Sequence, residues 1–116
     1  MKREIKKVAK MVDEITTFFL EFQAQEVKVN IFTYKDRIVI TASAKKLKKS
    51  EKAVRRLKQY LSYPRAHEME EYYWALTGES ECEEGLAIVG TMVDEASIDY
   101  DDEHIDIHLT RLIGKR

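Results

Sequence analysis

The chain has 116 residues, 44% of them hydrophobic and 35% charged, with one proline, four glycines and one cysteine. That leaves room for a single domain over 1–116 with one modest core, and a lone Cys82 excludes an internal disulfide. The net charge of −1 hides an asymmetry: residues 1–65 hold 17 Lys/Arg against 7 Asp/Glu, and residues 66–116 hold 3 against 14. Either the two halves attract each other inside the fold, or the surface is bipolar, with a basic patch for an acidic partner.

The first residues, MKREIKKVAKMVDE, contain no uninterrupted apolar stretch of the kind a secretory signal needs, and no run elsewhere is long enough for a membrane span. With a single cysteine, a cytoplasmic, reducing location is the expectation. Residues 2–24 are predicted to form one helix, because Ile5, Val8, Val12, Ile15, Phe19 and Phe22 recur at helical spacing, widened by Met11 and Phe18. Such a stripe either covers one face of a sheet or forms a helix–helix homodimer interface; three heptads are too few for a coiled coil.

Residues 26–43 are predicted to form a hairpin. Val27, Val29, Ile31 and Thr33 alternate on one face, and Ile38, Ile40 and Ala42 follow a turn at Lys35-Asp36. A two-residue turn pairs Ile31 with Ile40 and Thr33 with Ile38, which puts both apolar rows on one buried face. The other face carries Lys28, Asn30, Thr41 and Ser43, broken by Phe32 and Val39.

Residues 44–62 are predicted to be a helix, or a helix with a ragged start, with a thin apolar side of Leu47, Val54, Leu57 and Leu61. Its other sides carry Lys45, Lys46, Lys48, Lys49, Lys52, Arg55, Arg56 and Lys58, eight cations in fourteen residues. Tyr63-Pro64 ends it, since a residue before proline is pushed out of the α region. A further helix is expected over 65–77, stopped by Gly78, and an acidic loop over 79–84.

From Glu83 to Ile113 a short helix, with Leu86, Val89, Met92 and Val93 on one face, leads into a second hairpin. Ala96, Ile98 and Tyr100 form one apolar row and Ile105, Ile107 and Leu109 the other, across an acidic turn at Asp101-Asp102-Glu103. The order α-β-β-α-α-α-β-β predicts an α+β, two-layer sandwich: an antiparallel or mixed sheet with helices on one face. A ferredoxin-like arrangement is the rival, and the leading helix and adjacent middle helices fit it poorly.

The run Gly85-Leu86-Ala87-Ile88-Val89, then Met92-Val93-Asp94-Glu95, a strand, an acidic turn and a strand ending Leu109-Thr110-Arg111-Leu112 resembles the C-terminal end of the GHKL (Bergerat) ATPase domain. Its nearest likeness is to the bacterial serine kinases that act as anti-sigma factors in partner-switching circuits. The resemblance implies a GHKL ATPase-like fold in which residues 44–62 occupy the place of the nucleotide lid. It also implies motifs that can be checked. The family's helix glutamate falls on Glu14, but the magnesium-holding asparagine four residues on falls on Phe18. Where the family has Asp-x-Gly-x-Gly after the second strand, this chain reads Ile40-Thr41-Ala42-Ser43-Ala44. Of the glycine-rich phosphate turn only Gly85 remains, with Gly90 one turn inside the helix, and Glu81, Glu83 and Glu84 would repel a triphosphate there.

No catalytic set, cofactor set or metal set is therefore legible. His104 and His108 share a strand face, but lie about 13 Å apart at about 3.3 Å per residue, too far to hold one ion. Asp99, Asp101, Asp102, Glu103 and Asp106 lack the glycine and spacing of a calcium loop. Cys82 lies among acids, which disfavour the thiolate. The expectation is a degenerate GHKL-like regulatory or adaptor domain, without nucleotide or metal, that binds a protein such as a sigma factor or its antagonist. Its candidate partner-binding residues are Lys45, Lys46, Lys48, Lys49, Arg55 and Arg56. The alternatives are an active ATP-dependent serine kinase and a nucleic-acid-binding protein using residues 45–58.

Overall fold

A computed structural model of the chain describes residues 2–61 and 82–113. Among the described residues three helices, α1 (Lys2–Glu21), α2 (Ser50–Leu61) and α3 (Cys82–Met92), accompany four strands, β1 (Glu26–Thr33), β2 (Arg37–Lys45), β3 (Glu95–Tyr100) and β4 (His104–Leu112). The predicted helix over 65–77, with Tyr72, Tyr73, Trp74 and His67, lies outside the described residues.

The strands form one sheet in the order β1-β2-β4-β3, and every neighbouring pair is antiparallel. The predicted register of the first hairpin is observed, with Ile31 opposite Ile40 and Thr33 opposite Ile38. The second hairpin pairs Ile98 with Ile107 and docks through β4, not β3, so that Ile40 faces Leu109 and Ala42 faces Ile107. β2 and β4 are thus central. Their inward rows, Ile38, Ile40, Ala42 and Ala44 and then Ile105, Ile107 and Leu109, are fully buried.

The three helices lie on one face of the sheet. α3 packs between the other two, α1 lies over β1 and β2, and α2 lies over β3 and β4. α3 buries Leu86, Ile88, Val89 and Met92, more than one face, because it has a helix on either side and the sheet beneath. Its two glycines are the points of closest approach. A Cβ at Gly85 would collide with the Glu14 carboxylate on α1, and one at Gly90 with the main-chain carbonyl of Tyr60 in the last turn of α2.

α1 ends where Gln23 takes a left-handed conformation, φ 62°. Ala24 N–H then donates to Phe19 O and Gln23 N–H to Leu20 O, the paired closing bonds that turn a chain out of a helix. Phe18, Phe19 and Phe22 stack along its inner face, with ring centroids 5.8 Å and 4.9 Å from Phe18.

Two expectations are corrected. Ile31 does not lie in the buried face: β1 is an edge strand, and Ile31 is 48% exposed where Ile40, its partner, is 1%. Alternation correctly gives a strand's facing but not whether a neighbour covers it. The basic helix also starts later than predicted. β2 continues through Lys45, residues 46–49 form a connection, and α2 begins at Ser50. Lys46 and Lys49 hold φ of 60° and 53°, left-handed values that no helix can propagate.

Candidate contact surface

The connection from β2 to α2 carries half of the cations singled out above. Its backbone is fixed at several points. Lys46 N–H donates to Glu103 O at 2.6 Å, which ties it to the β3–β4 turn, and Lys48 N–H donates to Phe22 O at 2.8 Å, which ties it to the end of α1. Ser50 Oγ donates to Asp102 O at 3.1 Å, and Ala53 N–H begins α2 by donating to Lys49 O. Two left-handed lysines within four residues cost about 1–2 kcal/mol each, so only these tethers hold the loop in its shape.

The side chains point the other way. Lys45, Lys46, Lys48 and Lys49 are exposed, as is Arg55 on α2, and none of these five has an ion-pair partner among the described residues. Arg56 is half-buried and engaged. The six candidates therefore divide: Lys45 ends a strand, Lys46, Lys48 and Lys49 project from a pinned loop, and Arg55 and Arg56 ride on the helix. Lys58, further along α2, contacts Tyr100, with Nζ 3.3 Å from the hydroxyl and 4.9 Å from the ring centroid.

Beside this loop stands the acidic turn. Asp101 accepts backbone hydrogen bonds from Glu103 and His104, both at 2.9 Å, and these hold its carboxylate below the usual range. His104 lies between two carboxylates, Nε2 2.6 Å from Asp106 and Nδ1 3.3 Å from Asp101. The hydrogen bond to Asp106, followed by that to Asp101, raises the imidazole above its ordinary pKa. Asp106, on the outward row of β4, is half-buried and lies against His104. Among the described residues no His/Cys/Asp/Glu group has the geometry to hold a metal ion.

The positions that the GHKL resemblance makes specific are all occupied structurally. Glu14 is 7% exposed, lies against Gly85, and is held by Lys10 Nζ at 3.2 Å. Phe18 is a core ring, 1% exposed. Ile40 to Ala44 is uninterrupted strand, paired with β1 on one side and β4 on the other. Gly85 and Gly90 serve close helix packing.

Sequence reasoning missed Arg111. It continues the inward row after Leu109, so it is carried into the core and is 1% exposed. Its guanidinium donates to both Glu4 oxygens, at 2.8 and 3.0 Å, and to Met92 O at 2.8 Å. One side chain thus joins the start of α1, the end of α3 and β4, and it supplies positive charge to α3's C-terminal carbonyls. The signal was present: a cation at an inward position of a strand must find an acid and an acceptor.

No protein-family model, no curated protein and no solved structure matches this chain. Among the described residues no helix is long and apolar enough to cross a membrane.

Proposed function

We propose that this chain is a regulatory or adaptor domain of degenerate GHKL-like type, which binds no nucleotide and acts by docking on the acidic surface of a protein partner. The partner class implied by the resemblance is a sigma factor or its antagonist in a cytoplasmic partner-switching circuit. The observation that carries the reading is the pinned loop 46–49. Its backbone is tethered to two other parts of the fold while its lysines stand free in solvent. Rigid presentation lowers the entropic cost of docking, and exposed like charges steer encounter.

The order helix, hairpin, basic segment, helix, hairpin supports the GHKL-like part of the reading, since the lid would occupy the place of the basic segment. The core position of Phe18 and the unbroken strand through Ala42 support the absence of nucleotide binding, because neither leaves an amide or carboxylate for magnesium or adenine. The acidic turn beside the loop would repel a polyanion.

The test has three arms. Calorimetry with ATP and magnesium is expected to show no saturable heat, and a micromolar signal would restore the kinase alternative. A mobility shift with random DNA and RNA at about 150 mM salt, where the Debye length is about 8 Å, is expected to show only weak binding. Tight, salt-sensitive binding lost in Lys48→Glu/Lys49→Glu/Arg55→Glu would favour nucleic acid. Co-purification from cells should retain a protein with the wild type and lose it with that triple variant, whose fold is unchanged.

A further inference from the structure

We propose that two copies of this chain join edge to edge through β1, extending the four-stranded sheet to eight strands, while the outer flanks of their α1 helices pack together above the seam. This surface is separate from the lysine loop.

The free edge of β1 has a defined pattern. Tyr34 N–H donates to Arg37 O and closes the hairpin. Alternation along an antiparallel ladder then directs the even-numbered residues of β1 towards β2, and leaves the N–H and C=O groups of Val27, Val29, Ile31 and Thr33 facing outward. No described residue pairs with them. An eight-residue edge strand without proline, bearing an exposed Ile31, is a template for strand addition.

The helix above this edge presents a matching flank. Glu14 faces α3, and the flank on the opposite side carries Ile5, Ala9, Val12, Thr16 and Leu20 at steps of four, three, four and four. Ile5 is 60% exposed and Leu20 56%, large apolar side chains left without cover.

A second copy is the occupant that fits. α1 spans 20 residues, about 30 Å, and β1 spans eight, about 26 Å, so helix and strand present edges of similar length. α1 lies over β1 and β2, so joining two β1 strands at about 4.8 Å puts the two α1 axes about 10 Å apart, the separation of packed helices. A two-fold axis through Asn30 and between Val12 and Asp13 sets Val29 against Ile31 of the other copy. It also sets Ile5 against the other Leu20, and Ala9 against the other Thr16.

Charge selects the same antiparallel arrangement. Lys6 is exposed in the first half of α1, and Asp13 and Glu21 are exposed in the second half, which holds no cation. Antiparallel helices bring the basic half of each copy beside the acidic half of the other.

The test is sedimentation velocity on the full chain at about 5–100 µM, with two variants that leave the protomer's own bonds intact. Ile31→Pro removes only an outward-facing N–H, and proline is tolerated at such edge positions. Leu20→Glu charges the exposed helix flank. The wild type is expected at twice the 13.6 kDa protomer mass. Each variant is expected to be monomeric, or at least tenfold weaker in association, with unchanged circular dichroism. In a Cys82→Ser background, Asn30→Cys should form a disulfide dimer on oxidation, because a non-hydrogen-bonded pair on the axis puts the Cα atoms about 4.5 Å apart, within disulfide range. A monomeric wild type, a dimer indifferent to both Ile31→Pro and Leu20→Glu, or a dimer that Asn30→Cys does not cross-link would overturn the proposal.

Discussion

Replacing Gly90 with alanine separates two readings of the α3 glycines, as relics of a phosphate-binding turn or as packing contacts. In an ordinary helix the change stabilises by about 1 kcal/mol, because alanine loses less backbone entropy than glycine. Here the new methyl would collide with the carbonyl of Tyr60, a main-chain atom within α2. It cannot swing aside, so α2 and α3 must move apart. Overpacking of this kind costs about 1–3 kcal/mol, and separation also loosens the buried contacts of Leu57, Leu61, Val89 and Met92 around it. The net expectation is destabilisation by about 1–2 kcal/mol. Gly85→Ala provides the contrast. Its methyl meets only the Glu14 carboxylate, the end of a flexible side chain. Glu14 is largely buried, so its carboxylate must rotate aside at some loss of its pairing with Lys10, but the side chain is flexible where the Tyr60 main chain is not, and the helix gain offsets part of the cost. Urea denaturation followed by circular dichroism should therefore find Gly90→Ala clearly weakened and Gly85→Ala less affected. A Gly90→Ala protein as stable as wild type would refute the close-packing argument.

Ile107→Ala should cost about 2–5 kcal/mol by cavity formation, while Ile31→Ala in the Leu20→Glu background, where association does not enter, should cost under about 1 kcal/mol. Equal losses would show that β1 is covered. Arg111→Met should cost about 2–4 kcal/mol, because Glu4 loses the two bonds from the guanidinium and the end of α3 loses its cation; Arg111→Lys should not restore full stability, since an ammonium cannot fork across the carboxylate. His104 should titrate above its ordinary value in an NMR experiment. Because its folded pKa is raised, its contribution to stability is complete below the unfolded imidazole value, about 6.5, and is lost as pH rises through the folded one. His104→Asn should flatten that decline, and an unchanged slope would place the pH dependence elsewhere.

Much of the fold is determined by sequence period alone. Spacing of three and four in α1 and α3, and of two in the four strands, fixes which side of each element is apolar. The turn at Lys35-Asp36 fixes the register of the first hairpin, because a slip by one would turn Ile38 and Ile40 to water. The inward row of β4 was legible for the same reason, and with it the position of Arg111, although not its partner. What the sequence did not determine was adjacency. Nothing local to the second hairpin says that β4, not β3, docks on β2, and that choice leaves β1 and Ile31 at an edge. Nor does composition show that the lysine run is bent into a loop. Its helical propensity is adequate, but bonds from Lys46 to Glu103 and from Lys48 to Phe22, residues 57 and 26 positions away, hold it out of the helix. The partners of Glu14, Gly85, Gly90 and Arg111 lie on other elements as well, so only tertiary packing decided what those residues do. Local pattern sets the facing of a side chain, and the element that covers it is set by the whole chain.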